Sequence, residues 1–175
     1  MLKAISEVVG SRLVDLDKSQ AIGEVVNWVV NPDERKLSAL VVRLNGLFPK
    51  NMLVTTADII EYGPQMVVVK NQLSVVTPDE VVGMPKLLKS KFRLIGGRVE
   101  TKSRKLIGQV EDIMFETTDS SLQKLYVKPN LLGLVTRPDV IIGIDRVLLI
   151  EPRRIIVEDD VAEPIAPGQT VRAEV

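Results

Sequence analysis

Asp15 and Asp17 stand two apart in Val14-Asp15-Leu16-Asp17, a spacing at which two carboxylates could share a divalent cation. Neither a glycine-centred twelve-residue loop nor a closing glutamate follows, so the pair reads as an exposed turn and no metal site is expected. Gly96-Gly97 could offer backbone N–H groups to a phosphate. It lacks both the G-x-G-x-x-G spacing and a Gly-Lys-Ser/Thr ending, and the next segment reads as a strand. A tight entry into that strand is its expected use. The 175 residues include no His and no Cys. Ser and Thr hydroxyls therefore have no imidazole to activate them, and disulfides, thiolate nucleophiles and Cys/His metal sites are excluded. The expectation is no catalytic residue, no cofactor and no metal: a chain that is not an enzyme.

Two other groups of side chains could bind rather than react. From Lys86 to Lys105 the chain carries Lys86, Lys89, Lys91, Arg93, Arg98, Lys102, Arg104 and Lys105 against one acid, Glu100, a local charge of +7. Such a stretch could hold a phosphate backbone or an acidic protein face. Only Phe92 is interleaved with it, a poor stacking platform for single strands, and the whole chain is balanced at 23 basic and 23 acidic residues. The second group lies on two loops, Leu44-Asn45-Gly46-Leu47-Phe48-Pro49-Lys50 and Asn130-Leu131-Leu132-Gly133-Leu134-Val135-Thr136-Arg137-Pro138. Both are long for a hairpin and carry large apolar side chains, which suit either plugs for a barrel end or a protein contact. Leu47, Phe48, Lys50, Leu132, Val135 and Arg137 are the candidate contacts.

The elements that must position these groups come from a repeat. Val9-Gly10-Ser11-Arg12-Leu13-Val14 matches Ile95-Gly96-Gly97-Arg98-Val99-Glu100 at a shift of 86, and Ile22-Gly23-Glu24-Val25 matches Ile107-Gly108-Gln109-Val110 at 85. The shift of 85 also sets Trp28-Val29-Val30 on Ile113-Met114-Phe115 and Leu40-Val41-Val42 on Leu125-Tyr126-Val127. Later, Asp58 is matched with Asp145 and Pro64 with Pro152. Glycine, arginine and proline stay in step, which chance similarity between Val-rich segments would not do.

Each copy reads as short strands: Ala21–Val30, Lys36–Leu44, Met52–Thr56 and Met66–Lys70, then Leu106–Phe115, Gln123–Lys128, Val140–Ile144 and Ile155–Glu158. Asn31-Pro32-Asp33-Glu34 and Thr117-Thr118-Asp119-Ser120 supply the turns between the first two strands of each copy. The fold class expected is all-β: two small barrels, each closed on itself, with Trp28 in a core. Such small units are marginal alone. Strands that are apolar on both faces, such as Leu37–Val42 and Val147–Ile150, ask for a second contact surface. The barrels should pack on each other or on a second chain as a homodimer, burying Val41 and Leu149. Barrel 1 is placed at 1–76, a linker at 77–89, barrel 2 at 90–160 and an acidic, proline-containing tail at 161–175. In the linker, Thr77-Pro78-Asp79-Glu80 fits a capping box, with Gly83 and Pro85 stopping the helix within a turn. The tail has no core-forming composition and could fold back on the basic stretch.

Each copy resembles the PRC-barrel domain. The matching residues are Gly10-x-Arg12-Leu13-Val14 with Ile22-Gly23-x-Val25, Gly96-x-Arg98-Val99 with Ile107-Gly108-x-Val110, and Leu131-Leu132-Gly133-Leu134 leading to Asp145. That fold forms the cytoplasmic part of the photosynthetic reaction-centre H subunit and the C-terminal half of a ribosome maturation factor. Here two copies cover about 4–74 and 90–160, without the H subunit's membrane helix or the factor's other barrel. The resemblance implies a protein-docking module without catalysis of its own, and the partner is unidentified. An RNA- or ribosome-associated factor using Lys86 to Lys105 is the alternative. Met1–Arg12 lacks the apolar core of a secretion signal and no apolar run approaches a bilayer span, so a cytoplasmic protein without membrane insertion is expected.

Overall fold

The computed structural model describes residues 1–46, 51–90, 93–129 and 139–162. The chain opens with β1 (Leu2–Ala4) and the one-turn helix α1 (Ile5–Val8). Six strands follow: β2 (Arg12–Asp15), β3 (Gln20–Asn31), β4 (Lys36–Leu44), β5 (Asn51–Thr55), β6 (Ile59–Gly63) and β7 (Met66–Val69). A linker holds α2 (Met84–Lys89). The second set is β8 (Arg98–Thr101), β9 (Leu106–Glu116), β10 (Leu122–Pro129), β11 (Val140–Gly143), β12 (Val147–Glu151) and β13 (Arg154–Val157).

The two sets have one topology. The first sheet runs β5-β4-β3-β2-β7-β6 and the second β11-β10-β9-β8-β13-β12. Each contains one parallel pair, Leu13 opposite Val67 in the first and Val99 opposite Ile155 in the second. The backbone repeats in finer detail. Gly10 donates to Val25 O at 2.8 Å as Gly96 does to Val110 O at 2.8 Å. Arg35 (φ 53°) and Ser120 (φ 62°) take the same left-handed turn position, 85 residues apart. L-residues adopt that conformation at a cost of about 1–2 kcal/mol, so its recurrence at matched positions is a strong sign of common construction. Gly23 and Gly108 are matched too. A Cβ at Gly23 would run into the carbonyl oxygen of Arg43, and one at Gly108 into that of Lys128.

Four expectations need correction. Among the described residues no ladder joins the end strands β5 and β6. A 3-10 turn, Thr56–Asp58, connects them instead, so the barrel wraps round without full hydrogen-bonded closure. From β5 and β11 onward the repeat shift is 88, which sets Asp58 opposite Arg146 rather than Asp145. The capped helix stops within a turn, at Pro78–Glu80, but Gly83 and Pro85 open a second helix rather than only closing the first. Its capping box forms, Thr77 N donating to Glu80 Oε2 at 2.6 Å, and Gly83 (φ 78°) then precedes the second helix, with Pro85 in its first turn where a missing N–H costs nothing. Asp15 is fully buried rather than exposed. It accepts from Lys18 N at 2.9 Å and Gln72 N at 3.1 Å, fastening the β2 turn to the 3-10 turn that follows β7.

The barrels pack on each other through a seam with its own internal symmetry. Lys36 bridges Ser121 in antiparallel fashion, with Leu37 N donating to Ser120 O (2.8 Å) and Leu122 N to Arg35 O (2.9 Å). Residues 35, 36 and 37 are matched with 120, 121 and 122 in the repeat, so each side makes the bond its counterpart makes. The side chains obey the same rule. Trp28 with Ile113, Val30 with Phe115 and Leu37 with Leu122 are three matched pairs, and with Ile5 they close around a space too small for a water molecule. A self-complementary contact of this kind is what a two-fold axis produces. Tyr62 adds an edge-to-face contact with Phe115, ring centroids 5.3 Å apart. The core is continuous across the seam. Val41 is only half-buried, and it packs with the linker residues Met84 and Leu87 rather than the other barrel. Leu149 is 47% exposed, so its expected burial is not met within the chain.

Candidate interaction site

Leu47, Phe48, Lys50, Leu132, Val135 and Arg137 lie outside the described residues. The strand ends that bear their loops are described: Leu44 and Asn51 for one, Pro129 and Val140 for the other. β4 and β10 start at the seam and, being antiparallel at the Lys36–Ser121 bridge, leave it in opposite directions. The described strand ends that bear the two loops therefore lie on opposite sides of the seam.

The basic stretch is divided by the fold. Lys86 and Lys89 are exposed on α2 and Arg93 beyond it, whereas Lys102, Arg104 and Lys105 sit at the β8–β9 turn. Strand β8 lies between the two groups in the chain. Lys91 lies outside the described residues. The stretch's single acid, Glu100, is buried beside Arg98 (3.6 Å) and Arg154 (3.4 Å), and Arg154 also holds Glu151 at 2.8 Å. At the turn, Asp159 accepts from Ser103 N at 2.8 Å. That bond, aided by the nearby Lys102 charge, holds its carboxyl below the usual range. Arg146 pairs with Glu158 and Asp160. Glu158 to Asp160 are thus fastened at this end of barrel 2, and the tail beyond Ala162 lies outside the described residues.

One groove among the described residues was not foreseen. It has a volume of about 930 Å³ and lies between α2 and the last part of β3. Asn27, Trp28, Val29 and Val30 form its floor, Leu87 and Leu88 one wall, and Ile95, Arg93 and Arg153 the other. Its meaning comes from the repeat. At the matched place on barrel 2, the edge of β9 is covered by β1, with Leu2 opposite Glu116, Lys3 opposite Phe115 and Ala4 opposite Met114. Ser6 then bonds Asp112 through Oγ at 2.5 Å. On barrel 1 the corresponding edge, Val29 to Asn31, pairs with β4 on one side and with no described strand on the other. Asn27, matched with Asp112, turns its Oδ1 to Trp28 N at 2.9 Å as Asp112 does to Ile113 N at 2.8 Å. The copy-two segment matched with β1 is Leu88–Ser90. It repeats the Leu-Lys pair of Leu2-Lys3 but belongs to α2 and its cap instead of a strand. Self-comparison of the sequence extended through these residues would have marked the place, though not the change of conformation.

No group of three or more potential metal ligands occurs among the described residues, and no described helix is long and apolar enough to cross a membrane. Residues 2–75 match the family model of the PRC-barrel domain. The first barrel is thus similar to the PRC-barrel domain, and barrel 2 repeats its strand order and pairing. None of the curated proteins matches the chain.

Proposed function

We propose that this protein is a non-catalytic interaction module in which two PRC-type barrels dock extended segments of protein partners. The observation that carries the reading is the edge of β3 that no described strand joins, whose twin on barrel 2 is occupied by a strand. An exposed edge beside an apolar groove takes a peptide by strand addition: main-chain hydrogen bonds supply affinity, and flanking pockets supply choice. Arg93 and Arg153, with no acid on the described lining, favour a segment carrying Asp or Glu among its apolar residues. The loops bearing Leu47, Phe48 and Lys50, and Leu132, Val135 and Arg137, provide two further contact points. Strand ends on opposite sides of the seam suit an adaptor that joins two partners.

The test is capture of partners by the tagged full chain, with and without nuclease and at low and high salt. A set of proteins that survives both treatments, and is lost with Leu88→Glu and Arg93→Glu, supports docking at the groove. Retention of that set in Phe48→Ala with Lys50→Glu and Arg137→Glu removes the loops from the site. Loss under nuclease, or a steep fall with salt, transfers the function to Lys86–Lys105 and a nucleic acid.

A further inference from the structure

The frame that opens each barrel is the same, but it carries different side chains in the two copies. Arg98 N donates to Arg153 O at 3.0 Å as Arg12 N does to Gln65 O at 3.1 Å. Gly97 N donates to Leu94 O at 3.0 Å as Ser11 N does to Val8 O at 3.1 Å. On barrel 2, Arg93 N also reaches Pro152 O at 3.3 Å. These bonds gather three stretches of chain around the turn at Gly96-Gly97. Between them lies a pocket of about 320 Å³, lined by Arg93, Ile95, Gly96, Gly97, Arg98 and Arg153. No acid is among them. At the matched place barrel 1 has Glu7, Arg12 and Gln65, whose charges cancel where barrel 2 presents three guanidinium groups.

We infer that this pocket holds a phosphorylated serine or threonine side chain, carried by the segment that docks in the neighbouring groove; the inference rests on that reading of the groove. The two openings meet at Arg93, Ile95 and Arg153, which line both. The chemistry of the lining selects the group. A carboxylate brings one charge and two oxygens to three arginines, each a planar fork of donors. A phosphate monoester brings nearly two charges and three free oxygens, a closer match in both respects. The glycine turn is not itself a phosphate loop, because the amides of Gly96 and Gly97 are taken by Val110 O and Leu94 O. The side chains therefore do the binding. Arg98 has Glu100 nearby at 3.6 Å, but that carboxylate is shared with Arg154 at 3.4 Å. A nucleic-acid backbone fits less well. Its diesters carry one charge each and ask for a track of cations, whereas Lys102, Arg104 and Lys105 lie beyond β8.

Calorimetric titration of the full chain with three probes tests the inference. They are a capped heptapeptide of alternating valine and threonine with a central phosphoserine, the same peptide unphosphorylated, and inorganic phosphate. The phosphopeptide should bind at least about tenfold more tightly than either of the others. Arg93→Gln with Arg153→Gln should bring the two peptides to equal affinity, and Leu88→Ala in the groove should weaken both while keeping the gap between them. Equal affinities in the parent chain, or a gap that survives the loss of both arginines, would overturn the anion pocket and leave the groove standing. Inorganic phosphate as tight as the phosphopeptide would overturn the source, assigning the pocket to free phosphate. Binding of phosphate but of neither peptide would overturn the groove and the inference with it, and silence of all three probes would overturn both. A single-stranded oligonucleotide bound more tightly than the phosphopeptide, and lost with the same two arginines, would overturn the inference in favour of a nucleic acid.

Discussion

The two barrels share a strand order, a seam and matched turns, yet each is finished by a different piece of chain. Barrel 1 has its outer face covered by the linker, and the edge of β3 at Val29 to Asn31 is joined by no described strand other than β4. Barrel 2 has the corresponding strand edge filled by β1 and the corresponding outer face, at Ile141, left exposed. The cores built from alternating apolar residues are alike because their positions are fixed by the ladder. The edges and faces differ because short segments close them, and a short segment takes whatever conformation its neighbours reward. Leu2–Ala4 becomes a strand beside β9, whereas Leu88-Lys89, with Pro85 just before it, closes a helix.

The most severe way to break the likeness is at the seam. Phe115→Ala should cost about 3–5 kcal/mol, because Phe115 is 1% exposed and meets both Tyr62 and the matched seam residues. Val30→Ala, at the matched position, should cost less, in proportion to its smaller side chain. Urea unfolding monitored by Trp28 fluorescence reads the difference. One shared transition for both barrels is expected in the parent chain, and two separate transitions would deny that the seam couples them.

Next in size is the glycine pair. Gly23→Ala and Gly108→Ala should each lose about 1–3 kcal/mol from overpacking, since each Cβ meets the carbonyl of the neighbouring strand. Equal losses in thermal unfolding sharpen the equivalence of the two copies. A neutral substitution at either glycine would show that its strand can move apart.

A smaller contrast is expected where the copies use different chemistry for one task. Asp15→Ala exposes no new surface but leaves the amides of Lys18 and Gln72 without their acceptor, a loss of about 1–3 kcal/mol. The matched Thr101 accepts only from Lys105 N, at 3.1 Å, besides its contact with the Ser103 hydroxyl. Thr101→Val should therefore cost less than Asp15→Ala in the same denaturant series. The reverse order would place the stronger clamp on barrel 2.

The mildest effect lies in acid. The Thr77 backbone bond, then its hydroxyl, holds the Glu80 carboxyl below its ordinary value, and the Ser103 backbone bond does the same for Asp159. A carboxyl depressed in the folded state adds stability that is present above its unfolded pKa and is lost as pH falls through the folded one. Both groups are exposed, so Glu80→Gln and Asp159→Asn should reduce stability slightly at neutral pH and converge with the parent chain in acid. Stability differences that persist at low pH would assign the effect to packing rather than charge.

Much of this architecture was legible in the residues. β4 occupies the span read from its apolar pattern, and β3 and β9 extend their expected spans by one residue at one or both ends, because β-branched runs between turn residues have few alternatives. The repeat was legible because glycine at a close crossing tolerates no replacement, as at Gly23 and Gly108. The helix after Gly83 was not legible, since Gly and Pro serve equally as stop and start signals and only tertiary packing of Met84 chooses. Asp15 misled for a related reason: an acid in a turn is ordinarily wet, and its burial depends on amides 3 and 57 residues away. The groove was invisible because it arises from a strand that is absent at one matched place, and spacing rules register what is present.

The self-matching seam at Lys36 and Ser121 has a consequence for how this protein can change. Two separate copies meeting through such a contact would fall apart on dilution, and every substitution would strike both sides at once. Joined in one chain, the halves stay together at any concentration, and each can accumulate replacements that its counterpart does not share. An edge filled on one barrel only and a face covered on the other only are liberties that a pair of identical subunits could not take separately.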